Sequence, residues 1–142
     1  MKKAILLLCS LFLLVATTFS QAKDEQAIRQ LLNDQTLSWN RGDIEGFMKG
    51  YWESDSLMFI GKTGVTYGWK NTLNNYKRGY PDTVAMGKLS FDILVVKRLS
   101  PDYFQVVGKW FLKRSIGDIS GHYTLLLRKI NDQWVIVADH SS

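Results

Sequence analysis

KLSFDILVVKRLSPDYFQVVGKWFLKRSIGDISGHYTLLLRKINDQWVIVADHSS, residues 88–142, is the stretch that decides the fold. Its apolar residues recur with a period of two across residues 89–98, 103–115, 119–130 and 134–141. That is the spacing of half-buried strands, whose side chains alternate between two faces. Turn formers stand between the runs: Ser100-Pro101-Asp102, Gly117-Asp118 and Asn131-Asp132. The stretch therefore predicts a four-stranded antiparallel meander with long strands.

The turns also predict a register. They pair Arg98 with Tyr103, Ile116 with Ile119 and Ile130 with Gln133, and directly opposed residues share a face. One face then collects Leu89, Phe91, Ile93 and Val95, then Val106, Gly108, Trp110 and Leu112. Tyr123, Leu125, Leu127, Trp134, Ile136 and Ala138 complete it. A slip of one residue in any pairing would break this coherence. At one end the apolar face carries Arg114, Tyr123 and His140, with His140 opposite Tyr123 and Arg114 opposite Gly121. A cationic donor, a phenol and an imidazole gather there. The opposite face mixes Asp92, Lys109, Lys113, His122, Arg128 and Asp139 with Leu94, Val96, Val107, Phe111, Leu126, Val135 and Val137. That much apolar surface predicts a homodimer through the outer sheet face.

Upstream, the pattern is helical. Residues 69–78 read as a helix ended by Gly79 and Pro81. Residues 57–60 and 65–67 read as short strands around Gly61-Lys62-Thr63-Gly64. Residues 44–52 read as a helix offering Phe47, Met48, Tyr51 and Trp52 for burial. Asp43 is placed to cap that helix, and Gly42 to end the one before it in a left-handed conformation. The earlier helix opens at Glu25 behind an Asp24 cap and buries Ile28, Leu31, Leu32 and Trp39. Helices first and strands after make an α+β chain.

Residues 1–22 read as a cleaved secretory signal peptide: Lys2 and Lys3, an apolar run over 4–16, then Ser20-Gln21-Ala22 as a small-x-small cleavage site. The run is shorter than the ~20 residues that span a bilayer. Residues 23–142 are then one mature domain, secreted or periplasmic, with no stable membrane anchor. The 142 residues carry a formal charge of +5, and losing the two leader lysines leaves +3. No basic run accompanies that surplus, so no nucleic-acid partner is implied. Cys9 is the only cysteine and lies in the leader, which excludes disulfides and a thiol nucleophile from the mature domain. Two histidines on opposite faces make no zinc site, and no cofactor is implied. Hydrophobic residues at 46% and aromatics at 13% exclude a disordered chain.

Trp39-Asn40-Arg41-Gly42-Asp43-Ile44-Glu45-Gly46-Phe47 resembles the corner between the first two helices of the nuclear transport factor 2-like superfamily. Tyr51, Asp55 and Gly68-Trp69 follow in matching order. The ending Trp134-Val135-Ile136-Val137-Ala138-Asp139-His140-Ser141-Ser142 is similar to SnoaL-like members and to the family of unknown function numbered 4440. The resemblance covers essentially all of residues 23–142. It implies a cone: a curved, mostly antiparallel sheet packed on about three N-terminal helices, enclosing a pocket and often dimeric. It also implies that catalytic members use a carboxylate base in the pocket with a phenol or protonated acid as oxyanion donor. In the isomerases that base lies on the strand after the second helix. Here the strand reads Leu57-Met58-Phe59-Ile60 and has no acid; Asp55 precedes it. The register puts Asp139 outside.

Two functions follow from these residues. The first is an exported protein binding a small organic ligand in an apolar pocket. Arg114, Tyr123 and His140 anchor the ligand, and Trp110, Tyr51, Trp52 and Tyr67 form the walls. The second is a proton-transfer enzyme (isomerase, cyclase or dehydratase) with His140 as base and Tyr123 or Arg114 stabilising an enolate. A third reading, an interaction module, requires the interior to be filled by aromatics.

Overall fold

The structure is a computed structural model that describes the side chains of residues 21–142; the leader and cleavage site proposed at 1–22 lie almost wholly outside the described residues. Among the described residues, no helix is long and apolar enough to cross a membrane. The chain runs α1 (Lys2–Asn40), α2 (Ile44–Met48), β1 (Met58–Gly61), β2 (Gly64–Tyr67), α3 (Trp69–Gly79), α4 (Thr83–Met86), β3 (Lys88–Ser100), β4 (Tyr103–Lys113), β5 (Ile119–Ile130) and β6 (Gln133–Ser141). It is an α+β fold, a curved six-stranded sheet that does not close, ordered β2-β1-β6-β5-β4-β3. Neighbours are antiparallel except β1 and β6, which run parallel.

The corner after α1 forms as its residues dictate. Gly42 takes φ +83, and Asp43 accepts the Gly46 N–H at 2.7 Å. Asn40 then imitates a strand residue: its amide donates to the Leu89 carbonyl and accepts the Leu89 N–H. This fastens α1 to the start of edge strand β3. Ile28, Leu32 and Trp39 of α1 pack with Phe47 and Met48 of α2 onto the inner sheet face, against Phe104, Val106, Leu112, Leu125, Leu127 and Ile136.

Several local readings are corrected. α1 does not open at Glu25, and Asp24 lies inside a continuous helix. α2 ends at Met48, and Tyr51 instead forms a parallel bridge to Ile136. The one-turn α4, capped by Asp82, was not anticipated.

The register is right at the Asn131-Asp132 hairpin and is altered at the other two turns and where the ladder bulges. Ile130 faces Gln133 across Asn131 (φ 49) and Asp132 (φ 60). The two-residue turn at Gly117-Asp118 is instead a longer loop, closed by the Arg114 N–H on the Asp118 carboxylate. Leu112, not Ile116, pairs near its mouth with Ile119. That offset is even, so every side chain of β5 keeps its face. Bulges after Ile93 and Arg98 swing Val95 outward and Val96 inward, and Ser100, not Arg98, faces Tyr103.

The consequential bulge lies in β6. Leu127 faces Ile136, but Leu126 faces Ala138, so Val137 is an extra residue. Beyond it the faces exchange. Ala138 and His140 turn outward, and Asp139 and Ser141 turn inward, with Ser141 rather than His140 opposite Tyr123. This corrects the faces assigned to Ala138, Asp139 and His140.

Asn131 and Asp132 both occupy the left-handed region that a primed hairpin turn demands. Asp132→Gly removes a side chain from that conformation and should raise stability by about 0.5–1 kcal/mol. A urea melt with a higher midpoint and an unchanged slope is the expected record.

Candidate active site at the interior end of β6

Asp139 is the carboxylate that the bulge delivers to the interior, and it is 4% exposed. The Tyr51 hydroxyl donates to its Oδ2 at 2.7 Å and the Ser141 hydroxyl to its Oδ1 at 2.7 Å. Tyr51 reaches it because β6 is tied to the chain after α2. Trp52 N–H donates to the Ile136 carbonyl, and Ile136 N–H donates to the Gly50 carbonyl. Behind Tyr51, the Tyr76 hydroxyl of α3 lies 3.4 Å from the Tyr51 oxygen. The Tyr51 proton is committed to Asp139, so Tyr76 is the donor in that contact. The array is directional: Tyr76 to Tyr51 to carboxylate.

The electrostatics follow from the absence of a paired cation. Burial pushes the Asp139 carboxyl up to about 6, although the bonds from Tyr51 and Ser141 and the neighbouring His140 pull the other way. Burial and the Asp139 charge push the Tyr51 and Tyr76 phenols well above the usual tyrosine range. Burial also raises Tyr123, helped by Asp139 and Asp92. All three phenols therefore stay protonated donors at neutral pH.

Around this array the interior is aromatic. Tyr76 packs against Trp39, Phe47, Phe59 and Tyr80, with ring centroids 5.3–6.2 Å apart. Tyr123 meets Phe91 at 5.2 Å and lies over Gly108, where any Cβ would collide with its hydroxyl. The Tyr123 hydroxyl and Trp110 Nε1 are both buried without a hydrogen-bond partner among the described residues. Native interiors rarely leave such donors unpaired.

The anticipated site residues divide. Tyr51, Trp110 and Tyr123 lie on the interior side. Trp52 is half-buried beside β6, and Tyr67 is 60% exposed on edge strand β2. Arg114 spends its guanidinium on main-chain carbonyls, Nε to Gly117 at 2.7 Å and Nη1 to Ala85 at 3.4 Å. His140 is exposed on the outer face. It borders a depression of about 190 Å³ with Ile60, Leu99, Thr124, Leu126 and Ala138. A second depression, of about 530 Å³, runs along β3, β4 and β5 past Asp92, Lys109 and His122. Among the described residues no cluster of three or more His, Cys, Asp or Glu could hold a metal.

A solved structure of a nuclear transport factor 2-like protein of unknown function from Shewanella oneidensis MR-1 is 45% identical. The match covers 84% of this chain and 98% of that one, with a TM-score of 0.81. This chain belongs to the nuclear transport factor 2-like family. LinA is 13% identical over 88% of both chains, with a TM-score of 0.74. A ketosteroid isomerase-like protein from Erwinia carotovora atroseptica SCRI1043 is 18% identical over 82% of this chain and 93% of that one, with a TM-score of 0.62. The last two share the fold alone. No family model matches the sequence, and no curated protein does.

In this nuclear transport factor 2-like chain, sequence reasoning missed Asp139, Ser141 and Tyr76 as partners. One signal was present. Val135-Ile136-Val137-Ala138 is four apolar residues without alternation, which is where a bulge can enter unseen.

The raised Asp139 carboxyl has a definite sign in stability. Its folded pKa, about 6, lies above the ordinary aspartate value of 3.8, so the native state binds the extra proton between those values. The contribution of Asp139 to stability is therefore fully present below pH ~4 and is lost, by about 2–3 kcal/mol, as pH rises through 6, then levels. The difference in unfolding free energy between Asp139→Asn and the parent, followed by urea melts from pH 4 to 8, should grow across that window and stay constant above it.

Proposed function

We propose that this is an exported protein that binds a small, neutral, planar organic molecule carrying a hydrogen-bond acceptor at the interior end of β6. The observation that carries this reading is the pair of buried, unpartnered donors, the Tyr123 hydroxyl and Trp110 Nε1. Each unmet buried donor costs about 1–3 kcal/mol, and a ligand carbonyl or ether oxygen supplies what the protein does not. The aromatic rings of Tyr76, Tyr80, Phe91 and Trp110 form a half-buried, apolar rim suited to a flat ligand. Neutrality follows from charge. The Arg114 guanidinium is committed to main-chain carbonyls, His140 is exposed on the outer face, and the interior Asp139 would repel an anion.

A second reading, proton transfer, is favoured by Asp139. A buried carboxylate whose pKa lies near 6 is suited to accept a proton at neutral pH, and protonated phenols beside it can stabilise an oxyanion. Here Asp139 takes the role assigned to His140 in the sequence reading. The LinA and isomerase-like neighbours lend this reading only a shared fold.

The outer face supports a homodimer. Leu94, Val95, Leu99 and Phe111 are each 41–51% exposed there. Export rests on residues 1–22, and it implies a mature chain of residues 23–142 in a secreted or periplasmic compartment.

Neutral bicyclic ketones and lactones, titrated against tryptophan fluorescence, should bind saturably. Tyr123→Phe should weaken them about 2- to 10-fold by removing one hydrogen bond. An unchanged affinity sinks the placement. Deuterium exchange α to the ketone carbonyl, faster with protein and abolished in Asp139→Asn, separates catalysis from binding alone. Native mass spectrometry should show a dimer that Leu99→Asp converts to monomer.

A further inference from the structure

Asp24 presents a second buried carboxylate, far from the first in chemistry. It is 6% exposed and faces the opposite end of the sheet's last hairpin. Its Oδ1 accepts from Lys129 Nζ at 2.6 Å and from Trp134 Nε1 at 3.1 Å, and the Lys129 ammonium lies over the Trp134 ring at 5.1 Å. Its Oδ2 is buried with no hydrogen-bond partner among the described residues. An ionised oxygen so placed needs a donor. Within an uninterrupted α1 none is at hand, because each nearby main-chain N–H is spent on the carbonyl four residues before it.

Shortening the helix changes that. Hydrolysis of the Ala22–Lys23 peptide bond consumes one water and leaves a carboxylate on Ala22 and an ammonium on Lys23. With Ala22 gone, the Gln26 N–H loses its acceptor. Gln26 is two residues beyond Asp24, the position from which a capping side chain accepts once Asp24, helical in the uncut chain, leaves helical φ/ψ at the new terminus.

We propose that Asp24 is a receptor for the trimmed start of α1: removal of residues 1–22 frees the Gln26 N–H to donate to Asp24 Oδ2, while Oδ1 stays on Lys129 and Trp134. The single carboxylate then clamps the first turn of the mature helix to the β5–β6 hairpin. Leader removal completes a buried site rather than merely discarding a segment. The distance from Asp24 to Gln26 also makes the site selective for where the chain is cut. A chain that keeps Ala22 keeps Gln26 N–H occupied. A chain cut beyond Asp24 has no cap.

This inference rests on the export reading, and the two can fail separately. The full-length sequence is expressed in an exporting bacterial host, and the purified protein is analysed by intact mass and by amide hydrogen exchange. The expected mass is that of residues 23–142. In it the Gln26 amide should exchange slower than those of Asp24 and Glu25 by about fivefold or more, and Asp24→Ala should abolish the difference. Asp24→Ser, which retains a capping oxygen, should restore it. If Asp24→Ala does not fold, the parent alone decides, since equal exchange at Asp24, Glu25 and Gln26 overturns the cap. An unprocessed chain overturns both readings. A chain trimmed after Ala22 whose Gln26 exchange ignores residue 24 overturns this inference alone.

Discussion

The bond from the Tyr51 hydroxyl to Asp139 joins the two halves of the chain across the interior. A buried carboxylate is costly unless donors surround it. Tyr51 and Ser141 satisfy one oxygen each, at 2.7 Å. For Tyr51 to reach, the chain after α2 must run beside β6, and the bonds between Gly50, Trp52 and Ile136 hold it there. The same placement sets the parallel pairing of β1 with β6, where Met58, Phe59 and Ile60 align with Ala138, Asp139 and His140. The first half of the chain thus enters the sheet only through the strand that carries the carboxylate.

The aromatic packing follows from that arrangement. Tyr76 must stand behind Tyr51, so α3 is drawn over the inner face, and Trp39, Phe47, Phe59 and Tyr80 close around its ring. Edge-to-face contacts dominate, as the ring quadrupoles prefer. Trp39 and Trp69 are also anchored by hydrogen bonds to the Met86 and Met48 carbonyls. The phenol array therefore sits in a rigid frame. On the other side of Asp139 the frame is incomplete, because the hydroxyl of Tyr123 and the indole N–H of Trp110 have nothing to donate to.

How much of this was legible depends on parity. β5 was read from Ile119 to Ile130 and is found there, and the Asn131-Asp132 turn was placed correctly. The loop at Gly117 was misjudged, yet the even offset left Tyr123, Leu125 and Leu127 inside. At Val137 the error was a single residue, and it exchanged Asp139 for His140. A sheet forgives an even mistake and inverts on an odd one. Turn chemistry near the hairpin end fixes only the adjoining pairs, so the bulge at Val137, further along β6, lies beyond its reach. Tyr76 was out of reach for a different reason. Its contact with Tyr51 joins α3 to the bridge segment after α2, beside a β-strand's carboxylate, and no local pattern records that.

Asp24 and Asp139 answer the same physical problem in opposite ways. Burial alone drives both carboxyls up. At Asp24 the donors include a cation: Lys129 bonds it, Lys129 and Arg98 act on it by charge, and together with Trp134 they outweigh burial, so its pKa is lowered. At Asp139 the bonding donors are two neutral hydroxyls, and burial prevails. The first group stays ionised across the neutral range, which suits a clamp. The second is held up to about 6, so it sits near neutrality rather than in the ordinary carboxylate range. The presence or absence of a lysine is what separates the carboxylate whose pKa is lowered from the one whose pKa is raised.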